Sequence, residues 1–204
     1  KGLPVYLVHV TFAVILQTDR LVVGAVLGQE ALGLYGILVL GGTALLFVPD
    51  AFSGVLWPFA GESFGRSDGR PDALRDLTGR SVRQLGWLLA ALLPGALAAI
   101  EVLVAHLLPH YHDALPPLRV YMIGLFALSA ALPLRNVAMT VGAGRLLLGV
   151  QLVSLAVLAL LQVGAATAGF GLIGVAAGGS TAMALLLGLC LWLTASRGVL
   201  GASD

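Results

Sequence analysis

Charge is what this chain has least of. Only 10% of its 204 residues are Asp, Glu, Lys or Arg, and Lys1 is the single lysine. A soluble domain carries about a quarter of its residues as charges, so this deficit excludes an ordinary water-facing surface. Cysteine is almost absent too. Cys190 stands alone in "LLLGLCLWL", which excludes an intrachain disulfide and makes redox chemistry a poor reading, because a thiol in so apolar a setting is inert. The formal net charge is +1, and the 11 cations are spread along the chain. Nucleic acid is therefore excluded as a partner, since its recognition needs cations gathered in a stripe or patch.

What is present is apolar. Hydrophobic residues make up 59% of the sequence and the mean hydropathy is +1.00, values that place the chain in a lipid bilayer. It opens with Lys1, and its first apolar run lacks the short core and small-residue cleavage site of a signal peptide. The chain is thus expected to be a segment of something longer.

A helix crossing a hydrocarbon core of about 30 Å needs roughly 20 mostly apolar residues, with every backbone amide satisfied inside the helix. Six stretches meet that requirement: 3–27, 31–59, 82–108, 118–141, 146–168 and 172–194. The fold class expected is all-α, a polytopic membrane protein in a single six-helix unit. The last two stretches hold no ionisable side chain and are joined by "AGFGL", which predicts a tight helical hairpin.

Arginine placement sets the orientation, because cations in short loops stay on the cytoplasmic side. The longest connection contains Arg66, Arg70, Arg75, Arg80 and Arg83, so it is expected to be cytoplasmic. Alternation then puts "LLPHYHDALPP" outside, Arg145 inside, "AGFGL" outside, and both Arg197 and Lys1 inside. Asp68, Asp72 and Asp76 interleave with the arginines and predict a short surface helix around "DALRDLTGR".

Charges inside the spans are costly unless paired or hydrated. Asp19 and Arg20 fall in the outer half of the first span and Glu101 near the outer end of the third, so Arg20 and Glu101 are expected to meet. Asp50 and Arg135 both arrive near the inner side and are expected to form a second pair. Adjacent Asp19 and Arg20 point about 100° apart on a helix, so they face different neighbours. With four of six spans carrying an interior ion, a wet internal cavity is the joint expectation. Pro49, Pro94 and Pro133 each remove a helical hydrogen bond and loosen their spans. The spacings Gly24 to Gly28 and Gly174 to Gly178 allow close helix contact.

Catalytic and metal signals are weak. His106, His110, His112 and Asp113 have the residue types of a metal site, but Pro109 breaks the helix that would align them. Ser180 has no histidine at similar depth in the chain, so nucleophilic catalysis has no support. "GAGRLLLG" lacks the lysine and hydroxyl residue of a phosphate loop. Neither an enzyme, a metal nor a cofactor is expected.

The order of several segments resembles the polysaccharide and oligosaccharide-lipid flippases of the multidrug/oligosaccharidyl-lipid/polysaccharide exporter superfamily, matched to the C-terminal half. The likeness rests on "TDRLVVGAVLGQEALGLYG", "FVPDAFSGVLWPFAGE", "LLPHYHDALPPLRVYMIG" and "GLIGVAAGGS" in that order. It implies one lobe of a two-lobe transporter in a bacterial cytoplasmic membrane, surrounded by membrane lipids and moving an isoprenoid pyrophosphate-linked oligosaccharide by alternating access. The second lobe is either a missing N-terminal half or another copy. The resemblance further implies Arg20 and Arg135 as substrate-binding cations in the cavity, with Asp19, Asp50 and Glu101 in ion coupling or gating. A cation-coupled multidrug exporter, a lipid II flippase and a non-transporting assembly subunit stay open as alternatives.

Overall fold

The computed structural model describes residues 2–68 and 70–199, so the Lys1 orientation signal and the Asp72 side chain lie outside the described residues. The chain forms α1 (Gly2–Val22), continued by a π-helical turn (Val23–Leu27), then α2 (Gln29–Arg66), α3 (Arg75–Leu107), α4 (Leu115–Thr140), α5 (Gly144–Thr167) and α6 (Gly171–Ser196). Six helices are long and apolar enough to cross a membrane, and no strand occurs among the described residues. This is the architecture of a multi-pass membrane protein.

Side-chain meetings fix the helix directions. His9 of α1 stacks on Trp57 of α2 while Asp19 bonds Tyr35, so α1 and α2 are antiparallel. A Cβ on Gly42 would strike Tyr121 and Leu125, and Asn136 donates to the Ser53 carbonyl, so α2 and α4 are parallel. Glu101 meets Arg119, which makes α3 and α4 antiparallel. The six helices therefore alternate. Arg66, Arg145 and Arg197 fall at one common end of the bundle, called the arginine end below, and "PHYHD" falls at the other.

Two helices are longer than a bilayer requires. With 38 residues in α2 and 33 in α3, they extend about 57 and 50 Å, against about 30 Å of hydrocarbon. Both project at the arginine end. The short surface helix expected around residues 72–80 is absent. Instead a 3-10 turn (Pro71–Leu74) leads directly into α3 at Arg75. The reason is a buried stripe at helical spacing, Leu74, Thr78, Ser81, Leu85, Leu89 and Leu93, which runs unbroken from the connection into the span.

α4 is the central helix. Residues 127–139 are buried without a break, so this stretch is enclosed on all sides by its neighbours. Lipid tails give no hydrophobic reason for helices to associate, so close packing and interhelical hydrogen bonds hold the bundle. The α4–α6 contact shows both. A Cβ on Gly124 would lie 2.7 Å from the Ser180 Cα, and the Ser180 hydroxyl donates to the Val120 carbonyl at 2.8 Å. Between α5 and α6, a Cβ on Gly178 would come within 3.1 Å of the Leu161 backbone. The expected Gly174–Gly178 contact is thus present. Gly24 and Gly28 do different work. A Cβ on Gly24 would make only an ordinary contact at 3.4 Å with Leu32, and Gly28, at φ 90°, is the single non-helical residue between the π-helical turn and α2. Pro49, Pro94 and Pro133 all lie inside their helices without interrupting them.

Candidate functional site

The buried polar side chains gather in two layers. In the layer farther from the arginine end, Asp19 is 2% exposed. Its Oδ2 accepts a hydrogen bond from the Tyr35 hydroxyl at 2.8 Å, and its Oδ1 accepts one from Gln162 Nε2 at 2.8 Å. Gln162 Nε2 also lies 3.5 Å from the Val175 carbonyl, and the Tyr35 ring meets Tyr121 edge-on with centroids 6.2 Å apart. One carboxyl group therefore gathers α1, α2 and α5 directly, with α4 and α6 one contact away. No cation lies within 4 Å of it among the described residues. Arg20 points away, exposed, and donates to Gln17 Oε1 at 2.9 Å. It borders a groove of about 410 Å³ along Leu32, Gly36, Val39 and Thr43.

In the layer nearer the arginine end, Arg135 of α4 is 9% exposed and its Cζ sits 4.1 Å from the centre of the Phe12 ring. That cation–π contact satisfies none of its N–H groups. Nε and Nη1 are both buried with no hydrogen-bond partner. Beside it, Asn136 Nδ2 donates to the Ser53 carbonyl at 3.3 Å, and the Ser53 hydroxyl is itself buried without a partner. α1 and α2 meet mainly through the π-helical turn between them and diverge toward the arginine end. Arg135 and Asn136 of α4 touch the two walls of that cleft, at Phe12 of α1 and Ser53 of α2. Across its mouth, His9 stacks on Trp57 with ring centres 6.2 Å apart.

Neither expected ion pair forms. Glu101 accepts from Arg119 Nε at 2.7 Å at the far end of α3 and α4, leaving Arg20 without it. Arg119 is the nearer partner because α3 and α4 pack side by side, whereas α1 lies across the bundle against α5. Asp50 is exposed on α2 and makes no ion pair with Arg135 within 4 Å among the described residues, although its charge acts on the guanidinium, which is stacked on Phe12 of α1. Asp19 and Arg135 are both largely enclosed by neighbouring side chains.

Several residues of these layers escaped the sequence reading because they are neutral. Gln151 and Gln162 are fully buried on α5, and Gln151 has partners for neither its Nε2 nor its Oε1. Their separation of 11 residues is close to three full helical turns. With Ser154 and Leu158 between them on the buried face, that spacing was the available signal. Phe12 and Asn136 offered no pattern, and Tyr35 stood out only as the end of Gly33-Leu34-Tyr35 in "TDRLVVGAVLGQEALGLYG". Ser180, in contrast, is explained by its bond to Val120, a packing role.

Compared with known proteins, the sequence matches no family model and no curated protein, and the fold matches no solved structure.

Proposed function

We propose that this chain is one lobe of a bacterial inner-membrane flippase that moves an isoprenoid pyrophosphate-linked oligosaccharide by alternating access, completed by a second six-helix lobe. The observation that carries the reading is Arg135. A guanidinium buried at membrane depth with two unmet N–H groups is costly unless an anion visits it, and the divergence of α1 and α2 gives an anion a route from the arginine end. A pyrophosphate presents the charge and the acceptor oxygens that Arg135 lacks. In this reading the headgroup enters between α1 and α2 and displaces the Phe12 contact. The lipid tail stays among the exposed apolar side chains. Entry parts the His9–Trp57 stack, and rocking against the second lobe restores it behind the headgroup.

The test is flux of labelled isoprenoid pyrophosphate-linked oligosaccharide in proteoliposomes holding both lobes. Arg135→Gln is expected to lower flux by about ten- to a hundredfold, the loss of one charge-assisted hydrogen-bond site, while Arg135→Lys retains part of it. Wild-type flux from a folded Arg135→Gln variant refutes the assignment.

A second reading within transport rests on Asp19, a buried carboxyl with no ion-pair partner within 4 Å among the described residues. In a cation-coupled exporter that group takes up and releases a proton, and Gln162 can follow it. When the carboxyl is protonated, an amide flip turns the unpartnered Gln162 Oε1 toward the new O–H donor. Asp19→Asn then abolishes transport driven by a pH gradient, whereas in the flippase reading Arg135→Gln is the more damaging change.

A further inference from the structure

At the arginine end, segments remote in sequence meet around a cavity of about 700 Å³. Pro4 and Val5 line it from the start of α1, Met139 from the foot of α4, and Arg145 and Leu146 from the start of α5, with Arg197 reaching in from the end of α6. Two glycines with left-handed backbones build it. Gly142, at φ 75°, turns α4 into α5 and so sets Arg145 at the rim, and Gly198, at φ 75°, ends α6 beside Arg197. Neither arginine has an ion-pair partner among the described residues, unlike Arg66 and Arg80, which are held by Glu62 and Asp76 at 2.6 and 3.8 Å. Two arginines with no ion-pair partner among the described residues thus face one space whose other lining side chains are apolar.

Depth identifies the occupant. The cavity opens where α4, α5 and α6 end, which is headgroup level for helices that cross the hydrocarbon, and its volume is that of a small-molecule site. Basic pockets between spanning helices at this level take lipid phosphates. We propose that this cavity binds the headgroup of an anionic phospholipid, with the phosphate between Arg145 and Arg197 and the glycerol and first acyl carbons on Val5, Met139 and Leu146. The site is separate from the Arg135 cleft and stands or falls independently of transport. It ties the loose ends of α1, α4, α5 and α6 together through one lipid.

Titration of the purified protein in neutral detergent with phosphatidylglycerol, followed by native mass spectrometry, tests the site. Each of Arg145→Gln and Arg197→Gln is expected to weaken binding about fivefold and the pair about 25-fold. R145K/R197K, which keeps the charge, is expected to bind close to wild type and guards against a folding defect. R66Q/R80Q is expected to leave binding unchanged. Equal binding by R145Q/R197Q and wild type overturns the proposal. So does an equal loss in R66Q/R80Q, which marks a general effect of surface charge. Glycerol phosphate at millimolar concentration is expected not to displace the lipid; displacement gives the site to a soluble phosphate and overturns the lipid assignment.

Discussion

Gln162 of α5 donates its amide N–H to Asp19 of α1 across 2.8 Å, joining residues 143 apart in the chain. The bond leaves Gln162 Oε1 unmet and engages a carboxyl group that has no ion-pair partner within 4 Å among the described residues. Removing one partner of such a buried pair exposes the full desolvation cost of the other, about 1–3 kcal/mol, whereas removing both leaves neither of the two unmet and only the Tyr35 hydroxyl without its acceptor. Gln162→Leu alone and Asp19→Leu alone are therefore each expected to lower thermal stability in detergent. The double variant is expected to be more stable than the sum of the single losses predicts. Strict additivity in that cycle removes the claim that Asp19 organises the bundle through Gln162.

The α4–α6 crossing yields a sharper contrast between two glycines. A methyl group on Gly124 would strike the Ser180 backbone, which cannot rotate away, while one on Gly36 of α2 meets nothing within 4 Å. Gly124→Ala is expected to destabilise the protein by about 1–3 kcal/mol through overpacking. Gly36→Ala is expected to be neutral or slightly stabilising, because alanine is the better helix former. Thermal unfolding of the two variants side by side checks this, and equal effects dismiss close helix approach as the basis of the crossing.

The bundle was legible in the sequence because length and hydropathy act locally: a run long enough to span must be a helix in lipid, whatever it packs against. That the charges at 19 and 20 face different surroundings was legible for the same reason, since it follows from 100° of helical rotation. Partner choice was not. Glu101 takes Arg119 because α3 lies on α4, and no property of residue 101 encodes that adjacency. Likewise, the polar groups that bind Asp19 are a tyrosine and a glutamine, neutral side chains that leave no trace in charge counting. The separate surface helix expected around 72–80 was not legible as the start of α3, because the buried stripe from Leu74 to Leu93 that joins them depends on what α3 packs against.

The His9–Trp57 contact is the closure of the α1–α2 cleft at the arginine end. Trp57→Ala is expected to open that mouth and expose Phe12 and Arg135 behind it. With the buried Cys190 replaced by alanine, a cysteine at position 12 is expected to react with a water-soluble maleimide about tenfold faster when Trp57 is absent, the rate effect of weakening an aromatic contact worth about 0.5–1.5 kcal/mol. Unchanged labelling means that the cleft is sealed elsewhere, and the entry route drawn for an anion fails with it.

Alternating helices place the connections at two ends, and the arginines decide which end faces the cytoplasm. Seven arginines, Arg66, Arg70, Arg75, Arg80, Arg83, Arg145 and Arg197, belong to connections or helix ends on one side. Of the three opposite connections, one holds His110, His112 and Asp113, and the other two, Gly28 and residues 168–170, hold no charge. Under the retention of cations on the cytoplasmic side, single cysteines at Ser67 and Ser196 in a cysteine-free background are expected to resist an impermeant reagent added to intact cells. Cysteines at His110 and Ala168 are expected to react. The two groups must separate, because α3 crosses once between Ser67 and His110, and α6 crosses once between Ala168 and Ser196. Labelling of Ser67→Cys and His110→Cys from the same side would remove α3 as a spanning helix, and with it the common end at which Arg145 and Arg197 meet.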